Sequence, residues 1–498
     1  MKQEETGKGA SDLVEEFSGV LLGDARLNAR LLTVVQAASR QPEVSLPLQA
    51  GNSGNLEGTY RFLGNPKVTA EKILAPHIAK TAVRAASVEE VLLISDTTEA
   101  IFSGSATRKG LGYVRAKEQG FLAHVTIAAT VSGKPLGVAD LETWSRSGKR
   151  KGRRTSSELL ADLNRESLRW SRRALAAHTR FEGHPGVIHV MDREADNYEI
   201  FNTICSNKYR FVIRLNHDRL LAETPLEAKA GDATEVQPMG SKLFSQLHGC
   251  EGVMEREVLL SERAKKGSPK RQKLYPERGR RLARLLFKAG KLTLIRPRST
   301  DKKLAAGRCL NFVLVEEIGV PSEDERVVWW LATTEPIDTP EQIAKIIDIY
   351  RQRWLIEEFF KAIKSGCNFE KLQLESLEPL RNMLAIFMYV AWTMLSLRWA
   401  SRKEPDTPAV EILGRTNLTS LVMLARDGRM KLAESPTSRE ALQAIASLGG
   451  HIKNNGEPGW AVLWRGYEKV LAFSNAYTII MKLLPDLDLA GRGTCDQS

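Results

Sequence analysis

The hydrophobic pattern along the chain changes character four times. Residues 1 to 75 carry apolar positions at helical spacing, as in "LGDARLNARLLTVVQAASRQ", with arginines on the opposite face. Turn residues at Gly51 to Gly54 and at Asn65-Pro66 punctuate this segment, which predicts a small helical domain. Short apolar runs follow. "EEVLLISDTTEA" reads as a strand ending at Asp96, "GFLAHVTIAATVSGKPLGVADLETW" as two strands, and "HPGVIHVMDREAD" as a strand ending at Asp192. A polar helix over roughly 155 to 178 separates the last two, and a helix and the strand "YRFVIRL" come after Asp192. Strands alternating with helices predict an α/β domain with a mixed sheet.

From 245 to 327 the chain reads as β-rich: "EREVLLSE", "KLTLIRP" and "LNFVLVEE" look like strands, set in a densely basic stretch from Arg263 to Lys303. "VVWWLATTEP" returns to a buried strand, and a long helix is expected from Pro340 through "YRQRWLIEEFFKAIK". Residues 400 to 498 are mostly helical. The apolar run "MLAIFMYVAWTMLSL" (383 to 397) is short for a membrane span and flanked by charge, which predicts a buried helix rather than membrane contact.

Composition adds a partner class. The 498 residues hold 72 Lys and Arg against 60 Asp and Glu, for a net charge of +12, a surplus that suits a polyanion such as nucleic acid as well as a soluble basic enzyme. The five cysteines are scattered and never paired as C-x-x-C, which fits a reducing cytoplasm; the opening residues carry no apolar signal region. There is no P-loop, no G-x-S-x-G and no H-E-x-x-H.

Candidate chemistry begins with the two aspartates at strand ends, where α/β sheets place functional groups, although an aspartate there can also cap the next turn. At about 100° per residue, Tyr350, Arg353, Glu357 and Lys364 fall within roughly a 60° arc of one helix face. That polar stripe is either an internal ion-pair set, with Arg353 and Glu357 as an i,i+4 pair, or the place where Glu357 joins Asp96 and Asp192 as a third carboxylate. Three acidic oxygens suit Mg²⁺ or Mn²⁺, and two such ions can activate water and stabilise a leaving oxygen on a phosphodiester. On this reading Trp354, Phe359 and Ile363 pack on the sheet as the rigid support of the stripe.

"ISDTT" around Asp96, "MDREAD" around Asp192 and the Y-x₂-R-x₃-E-x₆-K signature at Tyr350, Arg353, Glu357 and Lys364 resemble the DDE transposases of bacterial insertion sequences, in the branch with the Y-R-E-K signature. "EGTYRFLGNPKVTAE" and "WAVLWRGYE" extend the resemblance over nearly the whole chain. It implies an RNase H-like mixed-sheet catalytic core (76–244 and 328–399) interrupted by a β-rich basic insertion (245–327). A helical N-terminal DNA-binding domain (1–75) and a helical C-terminal dimerisation domain (400–498) would flank that core.

The resemblance further implies a cut-and-paste enzyme that cleaves transposon ends through a hairpin and transfers the freed strand into target DNA, working as a homodimer in a bacterial cytoplasm. Asp96, Asp192 and Glu357 would be its catalytic metal ligands. Tyr350, Arg353, Lys364, Arg210, Arg214 and Arg219 would contact DNA, with Asn216 departing from a lysine in the pattern. Trp329 would receive a flipped base, the alternative being plain core packing with Trp330 outward. A catalytically silent DNA-binding relative, or a nuclease that only hydrolyses DNA, are the alternatives.

Overall fold

The computed structural model describes residues 13–40, 44–104, 107–115, 118–146, 165–223, 238–260, 279–320, 326–452 and 456–491, with a few isolated positions besides. The chain forms two compact units. The first comprises Met1–Val88, Thr97–Lys149 and Trp354–Ser498, and the second Glu89–Asp96 and Arg150–Arg353.

The second unit is built on a mixed sheet. The opening residues of β1 (Val91–Phe102) run parallel to β5 (Val187–Met191), which runs parallel to β6 (Arg210–Arg214). Beyond β6 the pairing turns antiparallel, through β12 (Val328–Thr333), β11 (Gly307–Ile318) and β10 (Arg281–Ile295). β9 (Gly252–Leu260) pairs with β10. β9, β10 and β11 are the three strands expected of the β-rich segment; residues 261–276, much of its basic stretch, lie outside the described residues. Every residue of β5 is buried, as a central parallel strand covered on both faces requires. Helices Arg169–Thr179 and Tyr198–Ser206 supply Trp170, Ala174, Phe201 and Ile204 to one core with Phe211 and Phe312 of the sheet. Of the polar helix expected over 155 to 178, only this part from 169, after a short 3₁₀ turn, falls within stretches the structure describes continuously.

The first unit is mostly helical around a small antiparallel sheet, in which β3 (Glu118–Thr130) pairs with β2 (Gly112–Arg115) and β4 (Pro135–Trp144). Its axis is the helix Leu377–Lys403, apolar around its circumference and therefore buried. This helix alone, among the described residues, is long and apolar enough to cross a membrane, and 89% of its most apolar window is buried inside the protein. Its Asn382 side chain donates to the carbonyls of Leu63 (2.9 Å) and Val68 (3.1 Å), fixing the turn after the helix Ser53–Leu63. Basic Arg402 and Lys403 suit its carboxyl end, and Pro405 follows.

Near the C-terminus, helix Ser438–Leu448 starts with a capping box between Thr437 and Glu440 and packs closely on helix Trp460–Gly491. A Cβ at Gly466 would lie 1.6 Å from the Ile445 carbonyl oxygen, so only glycine permits this approach.

Buried charge also ties the first unit together. Glu16 and His77 are fully enclosed, with His77 Nδ1 2.5 Å from Glu16 Oε1. The Val138 N–H donates to His77 Nε2 at 2.9 Å, so the ring proton must sit on Nδ1 and be donated to Glu16. Arg84 closes the set with two bonds to Glu16, at 3.1 and 3.2 Å, and one to the Leu136 carbonyl at 2.6 Å.

Two expectations are corrected. β1 does not stop at Asp96: its register with β5 ends at Ser95, but the strand continues to Phe102, because Thr97, Thr98, Ile101 and Phe102 all favour extended backbone. The long helix after Pro340 is also interrupted. It ends at Arg351, with the Gln352 and Arg353 N–H groups donating to the carbonyls of Ile349 and Tyr350, three residues back. A new helix covers Trp354–Lys361, and a π-helical turn Ala362–Gly366 follows. The even 100° spacing that defined one straight polar stripe therefore fails on both sides of Glu357.

Candidate catalytic site

Asp96 and Asp192 come together through strand register. Ser95 and Met191 are the last paired residues of β1 and β5, and each aspartate is the next residue in its chain. Neighbouring strands lie about 4.8 Å apart, so the two aspartates stand on adjacent strands just past their last paired residues, Asp192 after the end of β5 and Asp96 within β1. Asp192 also caps the 3₁₀ turn that follows, its Oδ1 accepting from the Glu194 N–H at 2.8 Å. The capping role and a chemical role are compatible, because capping occupies only one lone pair of a group with about four.

Cations and rings surround this pair. The Arg353 guanidinium bonds Asp96 Oδ2 through Nη1 at 3.2 Å, with the two side chains 17% and 16% exposed. Tyr350 is buried, and burial pushes its phenol above the ordinary value; Arg353 and Arg214 oppose that shift, while Asp192 adds to it. Trp329 lies edge-on to the Tyr350 ring at 5.4 Å. Trp330 points to the other face, stacked 4.1 Å from Phe244 against the core, as alternation along a strand requires.

The other two arginines of the "YRFVIRLNHDR" stretch are held in ion pairs. Arg210 bonds both Glu335 (Nε to Oε1, 2.9 Å) and Glu90 (2.8 Å), and the Glu335 hydrogen bond is the main cause of its raised pKa. Arg219 bonds Asp196, whose carboxylate also accepts the N–H groups of Asn216 and His217 at 2.7 Å each. Glu335 and Asp196 thus organise the basic segment, and sequence reasoning missed both. The signal for Asp196 was present as the last residue of "DREAD"; for Glu335 there was none, since its partners are distant in sequence.

Glu357 and Lys364 belong to the first unit. Glu357 is half-buried in the first turn of helix Trp354–Lys361, where the helix dipole favours an acid. Lys364 sits in the π-helical turn and donates to the Glu99 carbonyl at 2.5 Å, with Glu370 at 3.3 Å. Phe359 and Ile363 are buried as expected, but Trp354 is 54% exposed. Its position at the first residue of a new helix, after the break, turns it outward, with the Lys361 ammonium 4.6 Å from the centre of its ring.

An α/β sheet with paired acids on adjacent strands and fixed cations around them defines a protein suited to phosphodiester chemistry. Residues 112–393, more than half of the chain, match the transposase DDE domain family, and residues 11–68 match the transposase DNA-binding family. The chain belongs to the DDE transposases. It is a DNA-binding enzyme of transposition, cleaving DNA with divalent metal ions. Asp192 and Glu357 fall inside the DDE match and Asp96 ahead of it. Among solved structures, the piggyBac transposase in a synaptic complex with hairpin DNA aligns with 76% of this chain and 68% of that one, at 8% identity and a TM-score of 0.33.

Proposed function

We propose that this enzyme performs cut-and-paste transposition, with Asp96, Asp192 and Glu357 as its catalytic carboxylates. The observation that carries the reading is the register of β1 and β5, which brings Asp96 and Asp192 together where that pairing ends, in a chain of the DDE family. Among the described residues no group of three or more His, Cys, Asp and Glu side chains is arranged to hold a metal ion. The donor set nonetheless fits one: paired carboxylate oxygens without a sulfur or imidazole ligand suit Mg²⁺ or Mn²⁺. A divalent ion bound there would lower the pKa of water and neutralise charge on the phosphodiester.

The chain's own residues supply the rest. Arg353 and Lys364 hold phosphate oxygens near the cut, Tyr350 fixes the backbone beside them through its hydroxyl, and Arg210, Arg214 and Arg219 extend the basic track. Water attacks phosphorus and releases a 3′-hydroxyl. That hydroxyl attacks the opposite strand to close a hairpin, with a displaced base stacked on Trp329. After the hairpin reopens, the same hydroxyl attacks target DNA. The core is RNase H-like over 76–244 and 328–399, residues 1–75 bind the transposon end, 245–327 form the basic insertion, and 400–498 pair two copies in the synaptic complex.

The test is an end-joining assay with a duplex carrying the element's terminal repeat, a target plasmid and Mg²⁺. Hairpin ends and joined products support the reading; nicked DNA without joined product would reduce the enzyme to a nuclease.

A further inference from the structure

Glu357 sits on a helix whose direction is not inherited from a longer rod. Helix Trp354–Lys361 is eight residues long, preceded by the break at Gln352 and Arg353 and followed by the π-helical turn Ala362–Gly366. Its buried residues Ile356, Phe359 and Phe360 fasten one face through apolar packing, which is non-directional. The residue after Glu357 supplies direction. Glu358 Oε2 accepts the indole N–H of Trp460 at 3.0 Å, and Oε1 accepts the Lys361 ammonium at 2.7 Å. Lys361 lies on the same short helix, whereas Trp460 opens helix Trp460–Gly491. From a third helix, Leu377–Lys403, Arg398 holds its guanidinium 4.5 Å from the centre of the Trp460 ring and 4.0 Å from Glu358 Oε2. The Arg398 and Glu358 side chains are only 14% and 18% exposed, so these groups meet largely out of water, where hydrogen bonds and charge act more strongly. All of them belong to the first unit.

We propose that Glu358 is a positioning residue: by accepting the Trp460 indole it fixes the rotation of helix Trp354–Lys361, and so the direction in which Glu357 presents its carboxylate to a divalent metal ion. This rests on the assignment of Glu357 as a catalytic carboxylate made above. Adjacent residues on a helix are about 100° apart on one rigid cylinder, so any turn of the helix about its axis moves both glutamates together. A functional group must be held within roughly 10 to 20° of its productive direction, and the Trp460 bond is a restraint on that angle. Arg398 steadies the pair from the far side, since its charge attracts the Glu358 carboxylate while its guanidinium lies on the indole face.

The experiment measures Mn²⁺ bound to the full chain by the loss of the free-ion signal in electron paramagnetic resonance, with an end duplex present; Mn²⁺ held by the duplex itself is subtracted. Thermal unfolding of the same samples sets a temperature at which every variant is folded. Trp460→Phe keeps a ring beside Arg398 and every charge, and deletes only the indole donor; it is expected to bind Mn²⁺ about 10-fold more weakly than wild type. Glu358→Ala should weaken binding at least as much, and adding Trp460→Phe to it should change nothing further, because the bond is already gone. Glu358→Gln, which keeps an acceptor for the indole, should lose less than Glu358→Ala. Glu357→Gln gives the loss expected when the ligand itself is removed. Wild-type Mn²⁺ affinity in Trp460→Phe, with Glu357→Gln binding weakly, would overturn the positioning role and leave Glu357 a ligand. A full further loss on adding Trp460→Phe to Glu358→Ala would also overturn it, since the tryptophan would then act by another route. If Glu357→Gln binds Mn²⁺ as wild type does, the assignment of Glu357 itself fails and the positioning role with it.

Discussion

Trp329 meets Tyr350 edge-on, with ring centroids 5.4 Å apart and planes at 69°, while its neighbour Trp330 stacks on Phe244 at 4.1 Å on the opposite face of β12. Two adjacent tryptophans therefore have separable jobs. Trp330→Ala should lower unfolding stability by about 2 to 4 kcal/mol through lost core packing. Trp329→Ala should cost less stability and slow hairpin closure more than the first nick, which strand-resolved gels distinguish. Equal slowing of both steps would return Trp329 to a packing role.

Alanine at Asp96, Asp192 or Glu357 should cut end cleavage by about 100-fold or more, since each removes charge stabilisation from the transition state. Binding to end DNA in the presence of a chelator should persist, because phosphate contacts elsewhere carry it. Gel-shift and cleavage assays on the same preparations check both halves. A variant cutting at the wild-type rate would remove that residue from the site.

The enclosed Glu16 and His77 make stability acid-sensitive in two ranges. Burial alone would raise Glu16, but the hydrogen bond and charge of His77 and the charge of Arg84 overrule it and leave it at about 2, below the ordinary 4.5. Its contribution is therefore complete above pH 4.5 and lost as pH falls towards 2. His77 is pushed below its ordinary 6.5, chiefly by burial, so the unfolded chain takes up the proton first and stability declines as pH drops below that value. Thermal unfolding from pH 8 to 3 should show both declines. Glu16→Gln should flatten the lower one while costing about 3 kcal/mol at neutral pH.

Gly466→Ala should destabilise the first unit by about 2 to 3 kcal/mol, because the added methyl meets a backbone carbonyl that cannot rotate away. Circular dichroism melting reads this directly, and an unchanged midpoint would show that the two helices can slide apart.

The closeness of Asp96 and Asp192 was legible because its signals are local. Apolar runs ending in aspartate marked Asp192, directly past the end of β5, and Asp96, directly past the last β1 residue paired with β5, although β1 itself runs on to Phe102. The break at Gln352 and Arg353 was invisible, since neither residue is a helix breaker and the link is set by tertiary context. Trp354 was misplaced for the same reason: its outward direction depends on where the second helix begins. The pairing of Arg210 with Glu335 joins residues over a hundred positions apart, and no periodicity records such a partnership.

The enclosed Glu16 also limits how this chain could be shortened or exchanged between relatives. Glu16 lies inside the DNA-binding match at 11–68, whereas His77, Arg84, Leu136 and Val138, which complete its network, all lie outside it. The DNA-recognition segment is therefore no interchangeable cassette. A fragment beginning after Val20, or a chimera bringing a foreign segment without an acid at that position, would leave the Arg84 guanidinium and the His77 ring enclosed without their anion. Such a chain would carry its fault into the body of the first unit, and its loss of DNA binding would be inseparable from a loss of folding.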